Sequence, residues 1–182
     1  MKDLSLHIID LAQNSIRAGA TLVEITITED PVKDQLALTI RDNGKGMDEQ
    51  TAKKADDPWC TSRTTRKVGM GLPLIKQNAE RTGGTFHLDS VPGSGTTVKA
   101  VFGLSHLDRP PIGNISEAVV LLSAGSSSCD FVYSHTTPKG TYVFDTREVK
   151  EVLGPVQIGQ AKVIKTLMEM VENNLKEIEI SD

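Results

Sequence analysis

What this chain is short of sets the first bounds on it. Cysteine occurs twice in 182 residues, as Cys60 and Cys129, far apart and with no CxxC. A disulfide framework or a zinc site is not indicated, and a reducing, cytoplasmic setting fits. Aromatics make up 4%, and the single tryptophan, Trp59, reads as a packing anchor. Basic charge is not in excess: 20 Lys and Arg stand against 24 Asp and Glu, a net charge of -4. No run of cations is long enough to track a phosphate backbone, so nucleic acid is not expected as a main partner. Long apolar runs are missing as well; stretches such as Ala118 to Leu122 are far too short to span a bilayer. The opening residues, with Lys2, Asp3, His7 and Asp10, do not read as a signal peptide, and no membrane insertion is expected.

What is present begins with a helix predicted over Leu4 to Ala18. Ile8, Leu11, Ala12 and Ser15 recur at i, i+3, i+4 and i+7 and form one buried stripe. His7, Asp10 and Asn14 fall on a different face. A carboxylate and an amide one turn apart suit a divalent metal, held through the amide oxygen, and a water or hydroxyl polarised by the carboxylate. Solvated surface residues would look the same in isolation.

Two alternating strands follow, Val23 to Thr28 and Leu36 to Arg41, with Pro31 in the turn between them. The second runs into Asp42-Asn43-Gly44-Lys45-Gly46-Met47. Asn-Gly marks a turn. The same glycines let backbone approach a flat ligand closely, and a carboxylate at a strand end accepts from an exocyclic amino group. Met47 to Ala55 reads as a short helix. Asp56 to Val68 is polar and long, the pattern of a lid, with Arg63, Arg66 and Lys67 available to phosphate oxygens. Gly69-Met70-Gly71-Leu72-Pro73 then opens a helix over Leu74 to Arg81, a turn whose free N–H groups suit an anion. Gly83-Gly84 ends it, and Thr85 to Val91 and Thr96 to Phe102 read as a strand pair around Pro92-Gly93-Ser94-Gly95.

Four signals in this order, NxxxA after an acidic i−4 residue, DNGxGM, GxGL opening a helix and GSGT before a strand, resemble the GHKL superfamily of ATP-binding domains. That superfamily holds histidine kinases, MutL proteins, type II topoisomerases and heat-shock chaperones. Asp10, Asn14, Ser15 and Ala18 to Thr21 are similar to the MutL N-box; the segment from Gly69 to Phe102 is similar to the end of a histidine kinase catalytic domain. The resemblance covers about residues 1–104. It implies an α+β two-layer sandwich, the Bergerat fold, with a mixed, mostly antiparallel sheet and helices on one face. It implies ATP and Mg2+ as ligands. Asn14 would bind the magnesium and Asp42 would receive the adenine amino group. Gly44 and Gly46 would shape the adenine pocket, with Met47 against the base. Thr96 would join the adenine contact through water. Gly69, Met70, Gly71 and Leu72, with the lid cations, would meet the phosphates. Asp10 stands where hydrolysing members carry a glutamate base, one methylene longer, and His7 one turn earlier is the candidate to orient it.

Two departures bear on function. The chain begins almost at the N-box, ahead of which complete histidine kinases carry phospho-accepting helices, and it has no HExxxP-like box. The MutL and topoisomerase transducer is also missing. Residues 105–182 form an α/β extension after the Asp108-Arg109-Pro110-Pro111 linker: a helix over Ile112 to Leu122, a hairpin of Phe131 to Ser134 with Thr141 to Asp145, a short segment at Val149 to Leu153, and an amphipathic helix over Ala161 to Ile178. It either completes the core or docks a partner. The expected function is a Mg-ATP-dependent, kinase-like regulator acting on a separate protein. A slow ATPase switch and an ATP-sensing subunit of a larger complex are the alternatives, and a homodimer is possible in each case.

Overall fold

The computed structural model describes residues 1–55 and 70–179. Helix α1 (Leu4–Arg17) starts where Asp3, in extended backbone, accepts the Leu6 N–H at 3.0 Å. It gives way at Gly19, whose φ of +78° lies in the left-handed region. The stripe of Ile8, Leu11, Ala12 and Ser15 is buried as the spacing predicts. His7 is a correction: it is buried with that stripe rather than set apart on a polar face, because a second helix covers it.

Strands β1 (Leu22–Asp30) and β2 (Gln35–Asp42) pair antiparallel, with Val23, Ile25, Ile27, Leu36, Leu38 and Ile40 on the buried face. The short α2 (Glu49–Ala55) follows. Helix α3 (Gly71–Arg81) opens three residues earlier than predicted, with Pro73 in its first turn, where no N–H is needed. Strands β3 (Thr85–Val91) and β4 (Gly95–Gly103) form the expected hairpin. Helix α4 (Ile115–Gly125) starts where the Asn114 side chain accepts the Glu117 N–H at 3.1 Å. Strands β5 (Asp130–Thr137) and β6 (Gly140–Asp145) make the second hairpin. Asp145 ends β6 and also caps α5 (Thr146–Leu153) by accepting the Arg147 N–H at 2.9 Å, so that helix begins ahead of the predicted Val149. Helix α6 (Ala161–Ile178) has the predicted bounds.

These strands form one six-stranded sheet in the order β3-β4-β2-β1-β5-β6. The β1–β5 pair is parallel, Leu22 lying opposite Asp130, and the other four neighbouring pairs are antiparallel. The helices lie over the sheet in matching order: α3 on β3 and β4, α1 on β1 and β2, α4 on β5, α6 on β5 and β6. Adjacent helices in that row touch one another. The result is an α+β two-layer sandwich.

The C-terminal strands extend the same sheet. Phe131, Tyr133 and Phe144 are among its largest fully buried side chains. Burying each is worth roughly 1.5–3 kcal/mol. A buried chain of hydrogen bonds ties β5 to the end of β1: Tyr133 Oη to His135 Nδ1 at 2.8 Å, then His135 Nε2 to Glu29 Oε1 at 2.7 Å. No helix among the described residues is long and apolar enough to cross a membrane.

Candidate functional site

The C-terminal end of β2 meets the C-terminal half of α1 at Asp42. Its side chain points inward because Leu36, Leu38, Ile40 and Asp42 share one strand face. The residue is only 9% exposed. Three donors satisfy the carboxylate: Ser15 Oγ–H to Oδ2 at 2.6 Å, and the backbone N–H groups of Gly44 and Thr96 to Oδ1 at 2.9 and 3.3 Å. Asp42 and Thr96 face each other in the β2–β4 register, so Thr96 is brought there by strand pairing.

The loop after Asp42 is stitched on both sides. Asn43 clamps the start of β1, its Oδ1 accepting from Thr21 and Leu22 N–H at 2.9 and 3.0 Å. Lys45 donates its N–H to Ala18 O at 2.9 Å and accepts from Gly93 N–H at 2.7 Å. The Met47 N–H donates to Ser90 Oγ at 2.8 Å, and Ser90 Oγ lies 2.8 Å from Thr96 Oγ1. Gly46 has a φ of +65°, and a Cβ there would run into the Val91 carbonyl. Glycine at this position is therefore required by both backbone and space. Asp42, Ser90, Gly95 and Thr96 are among the residues that line an open crevice, together with Arg41 and Asp89.

Asp10 and Asn14 lie along α1 toward the opening of α3. Asn14 Oδ1 accepts from Arg17 Nη1 at 3.0 Å. The Asp10 carboxylate rests against Gly71, the first residue of α3. Its Oδ2 is buried and has no hydrogen-bond partner among the described residues. Met70, before α3, is 60% exposed, while the Leu72 side chain is buried in the core. What Leu72 can present to a ligand is its backbone.

His7 does not meet Asp10 in a hydrogen bond among the described residues. The Asn78 amide of α3 donates to its Nε2 at 3.2 Å, which leaves the ring proton on Nδ1, a buried atom without a partner among the described residues. Burial, with the N-terminal ammonium acting in the same direction and Asp3 against it, brings the imidazole pKa down from 6.5 to about 4. The ring is neutral at pH 7. Its surroundings are those of a core contact between α1 and α3. Arg63, Arg66, Lys67 and Gly69, along with Trp59 and Cys60, lie outside the described residues.

Sequence reasoning missed the roles of Ser90, Asn78 and Asn43, and placed Ser15 in a buried stripe and in the N-box without naming its partner. A signal existed for the serines. Ser15 stands where the helical stripe calls for an apolar residue, and Ser90 continues the inward row of Phe86 and Leu88. A hydroxyl at an inward position has to find a partner.

Carboxylate, crevice and glycine turn follow the order of the motifs, and comparison with known proteins agrees. The family model for "Histidine kinase-, DNA gyrase B-, and HSP90-like ATPase" matches residues 2–106, more than half of the chain. The chain belongs to this family. Among the relatives of this GHKL ATPase domain is a "Putative sensor protein" of Shewanella frigidimarina (strain NCIMB 400), 32% identical over 103 residues. Another is "Sporulation kinase A" of Bacillus subtilis (strain 168), 31% identical over 102 residues. Each match covers 56% of this chain, and the chain spans 16% of the length of either relative. A solved structure, the N terminal domain of a DNA repair protein, aligns with a TM-score of 0.57 at 16% identity, covering 85% of this chain and 58% of that one. It speaks to the fold. The domain is thus of the GHKL type and similar to the ATP-binding domains of histidine kinases.

Proposed function

We propose that this GHKL domain binds Mg-ATP between the C-terminal half of α1, the loop 42–47 and the opening of α3, and passes the γ-phosphoryl group to a separate protein. The observation that carries the reading is the Asp42 pocket. A buried carboxylate whose rotamer is fixed by three donors keeps lone pairs for an incoming N–H, which suits the exocyclic amino group of adenine. Thr96, held by Ser90, lies beside it to complete the base contact, and Gly44 and Gly46 keep the loop thin, with Met47 next to them.

The oxygen donors fit a hard cation. Among the described residues no cluster of three or more His, Cys, Asp or Glu is assembled for a metal. Mg2+ commonly takes one or two protein oxygens and completes its shell with phosphates and water. Asn14 Oδ1, once released from Arg17, would be that oxygen. Bound there, the ion would offset the phosphate charge during transfer. Residues 70–72 offer backbone N–H groups at the start of α3 to the phosphates, and the cations Arg63, Arg66 and Lys67 are proposed for the same anions.

Asp10 is assigned as the general base. Its Oδ2 would take the proton of an acceptor hydroxyl or imidazole as the new bond to phosphorus forms and the bond from γ-phosphorus to the bridging oxygen of ADP breaks. A protein acceptor is favoured by the similarity to sensor and sporulation kinases, and a cytoplasmic location is proposed with it.

The test follows the γ-phosphate of labelled Mg-ATP with the purified protein, alone and with cell extract. Label on a protein, lost with Asp10→Asn, is expected. Label released only as free phosphate would make the domain a switch ATPase. Label retained on tightly bound ATP would make it a sensing subunit.

A further inference from the structure

Helix α3 opens on a glycine that its backbone does not require. Gly71 has no positive φ, unlike eight other glycines among the described residues, and sits in ordinary helical conformation. Alanine is the better helix former in such a place. The reason for glycine lies in the space beside it. A Cβ added at residue 71 would overlap Asp10 Oδ2 and come within 3.0 Å of Asp10 Cγ and 3.6 Å of Asp10 Cβ. The carboxylate of α1 occupies the volume that a side chain on α3 would fill. That same Oδ2 is buried and has no hydrogen-bond partner among the described residues. No hydrogen bond from the described residues reaches that oxygen, and the shape of the seat is what sets its place.

We propose that Gly71 is a positioning residue: its missing side chain is the seat of the Asp10 carboxylate and fixes where that carboxylate rests at the opening of α3. This rests on the reading of Asp10 as general base and adds a role to Gly71 distinct from donating its N–H to a phosphate, which any residue but proline does equally well. Asp10 Oδ2 is the free end of a short side chain. A methyl group at residue 71 therefore displaces the carboxylate by rotation, with little call on the backbone.

Gly71→Ala, Asp10→Asn and the wild-type protein are compared in single-turnover transfer from Mg-ATP, in nucleotide affinity and in thermal melting. The expected result for Gly71→Ala is a turnover about a hundredfold lower, the scale for a misplaced reacting group, with ATP affinity and Tm held. Asp10→Asn should show no transfer. Full turnover in Gly71→Ala beside an inactive Asp10→Asn overturns the seat and leaves the base assignment standing. Full turnover in Asp10→Asn overturns the base assignment itself. A Gly71→Ala protein that loses Tm and ATP affinity together, with turnover of the bound nucleotide intact, makes Gly71 structural and overturns the proposal. If Gly71→Ala does not fold, the Asp10→Ala/Gly71→Ala pair decides: recovery of folding when the carboxylate is removed supports the seat, and failure of both overturns it.

Discussion

Two carboxylates flank helix α1, and they are treated in opposite ways. Asp42, at the end of β2, receives three hydrogen bonds, one of them a 2.6 Å bond from Ser15. Asp10, on the helix itself, keeps a buried oxygen with no partner among the described residues. A carboxylate with three donors is fixed in position. That suits a group that reads the hydrogens of a ligand. A buried acceptor left bare costs roughly 1–3 kcal/mol. Costs of that kind are tolerated where chemistry needs them, and a bare oxygen is what a general base needs. Under the proposed function, this difference would separate a recognition end from a reacting end within a few turns of one helix.

The sharpest way to break this contrast is to neutralise Asp10 alone. Asp10→Asn keeps the shape and removes the basicity. Phosphoryl transfer should fall on the order of a thousandfold, within the range for general-base catalysis, while nucleotide affinity holds. Loss of affinity instead of rate would assign both carboxylates to binding and end the division of labour.

His7 carries another buried atom on α1 with no partner among the described residues, and it offers a second test. Its pKa is depressed to about 4, with burial the first cause. Above pH 6.5 the ring is neutral in folded and unfolded chains alike, and it costs nothing. As pH falls from 6.5 toward 4 the unfolded chain takes up a proton that the folded chain refuses, so stability falls with pH. At 1.36 kcal/mol per pH unit the loss reaches about 3 kcal/mol near pH 4. Chemical denaturation of the wild-type protein and of His7→Gln over that interval measures it. The variant should lose less stability on acidification. Equal slopes would mean that the ring titrates normally in the fold. Transfer activity at pH 7 should hold in His7→Gln, in contrast to Asp10→Asn.

Next in size is Asp42→Asn. Removing the charged acceptor should weaken ATP and ADP by about 2 kcal/mol, near thirtyfold, with a smaller effect on guanine nucleotides. Calorimetric titration without magnesium isolates the base contact from the metal. Equal loss for both bases would mean that Asp42 holds the loop without reading the base.

These residues also show how far the sequence could be read. Strand alternation located β1 to β4, and the motif order singled out Asp10, Asn14, Asp42 and the glycine turn, of which the fold sets Asp42 against Ser15 and Thr96 and Asp10 against Gly71. The pairing of β5 with β1 was hidden, because Leu22 and Asp130 are far apart in the chain and a period of two carries no information about which strand lies alongside. The start of α5 was hidden because Asp145 serves as the last residue of a strand and the cap of a helix at once. His7 was assigned to a polar face by residue type. Its burial depends on Asn78, on a helix more than sixty residues later. Ser15 could have been flagged, since a hydroxyl in an apolar stripe signals a partner, but only the fold names that partner as Asp42.

Ser15 therefore gives the finest test of the comparison. Its hydroxyl is the one side-chain donor among the three on Asp42; the other two are backbone N–H groups that no substitution removes without moving the chain. Ser15→Ala leaves the stripe apolar and the helix intact, and strips one donor from a buried carboxylate. The expected cost is about 1.5 kcal/mol in unfolding, with ATP affinity reduced a few-fold and the transfer rate of bound ATP unchanged. A change in rate without a change in affinity would show that the two carboxylates are coupled through α1. Unchanged stability would show that the two backbone donors hold Asp42 by themselves, and the recognition end would then owe its rigidity to the β2–β4 register rather than to the helix.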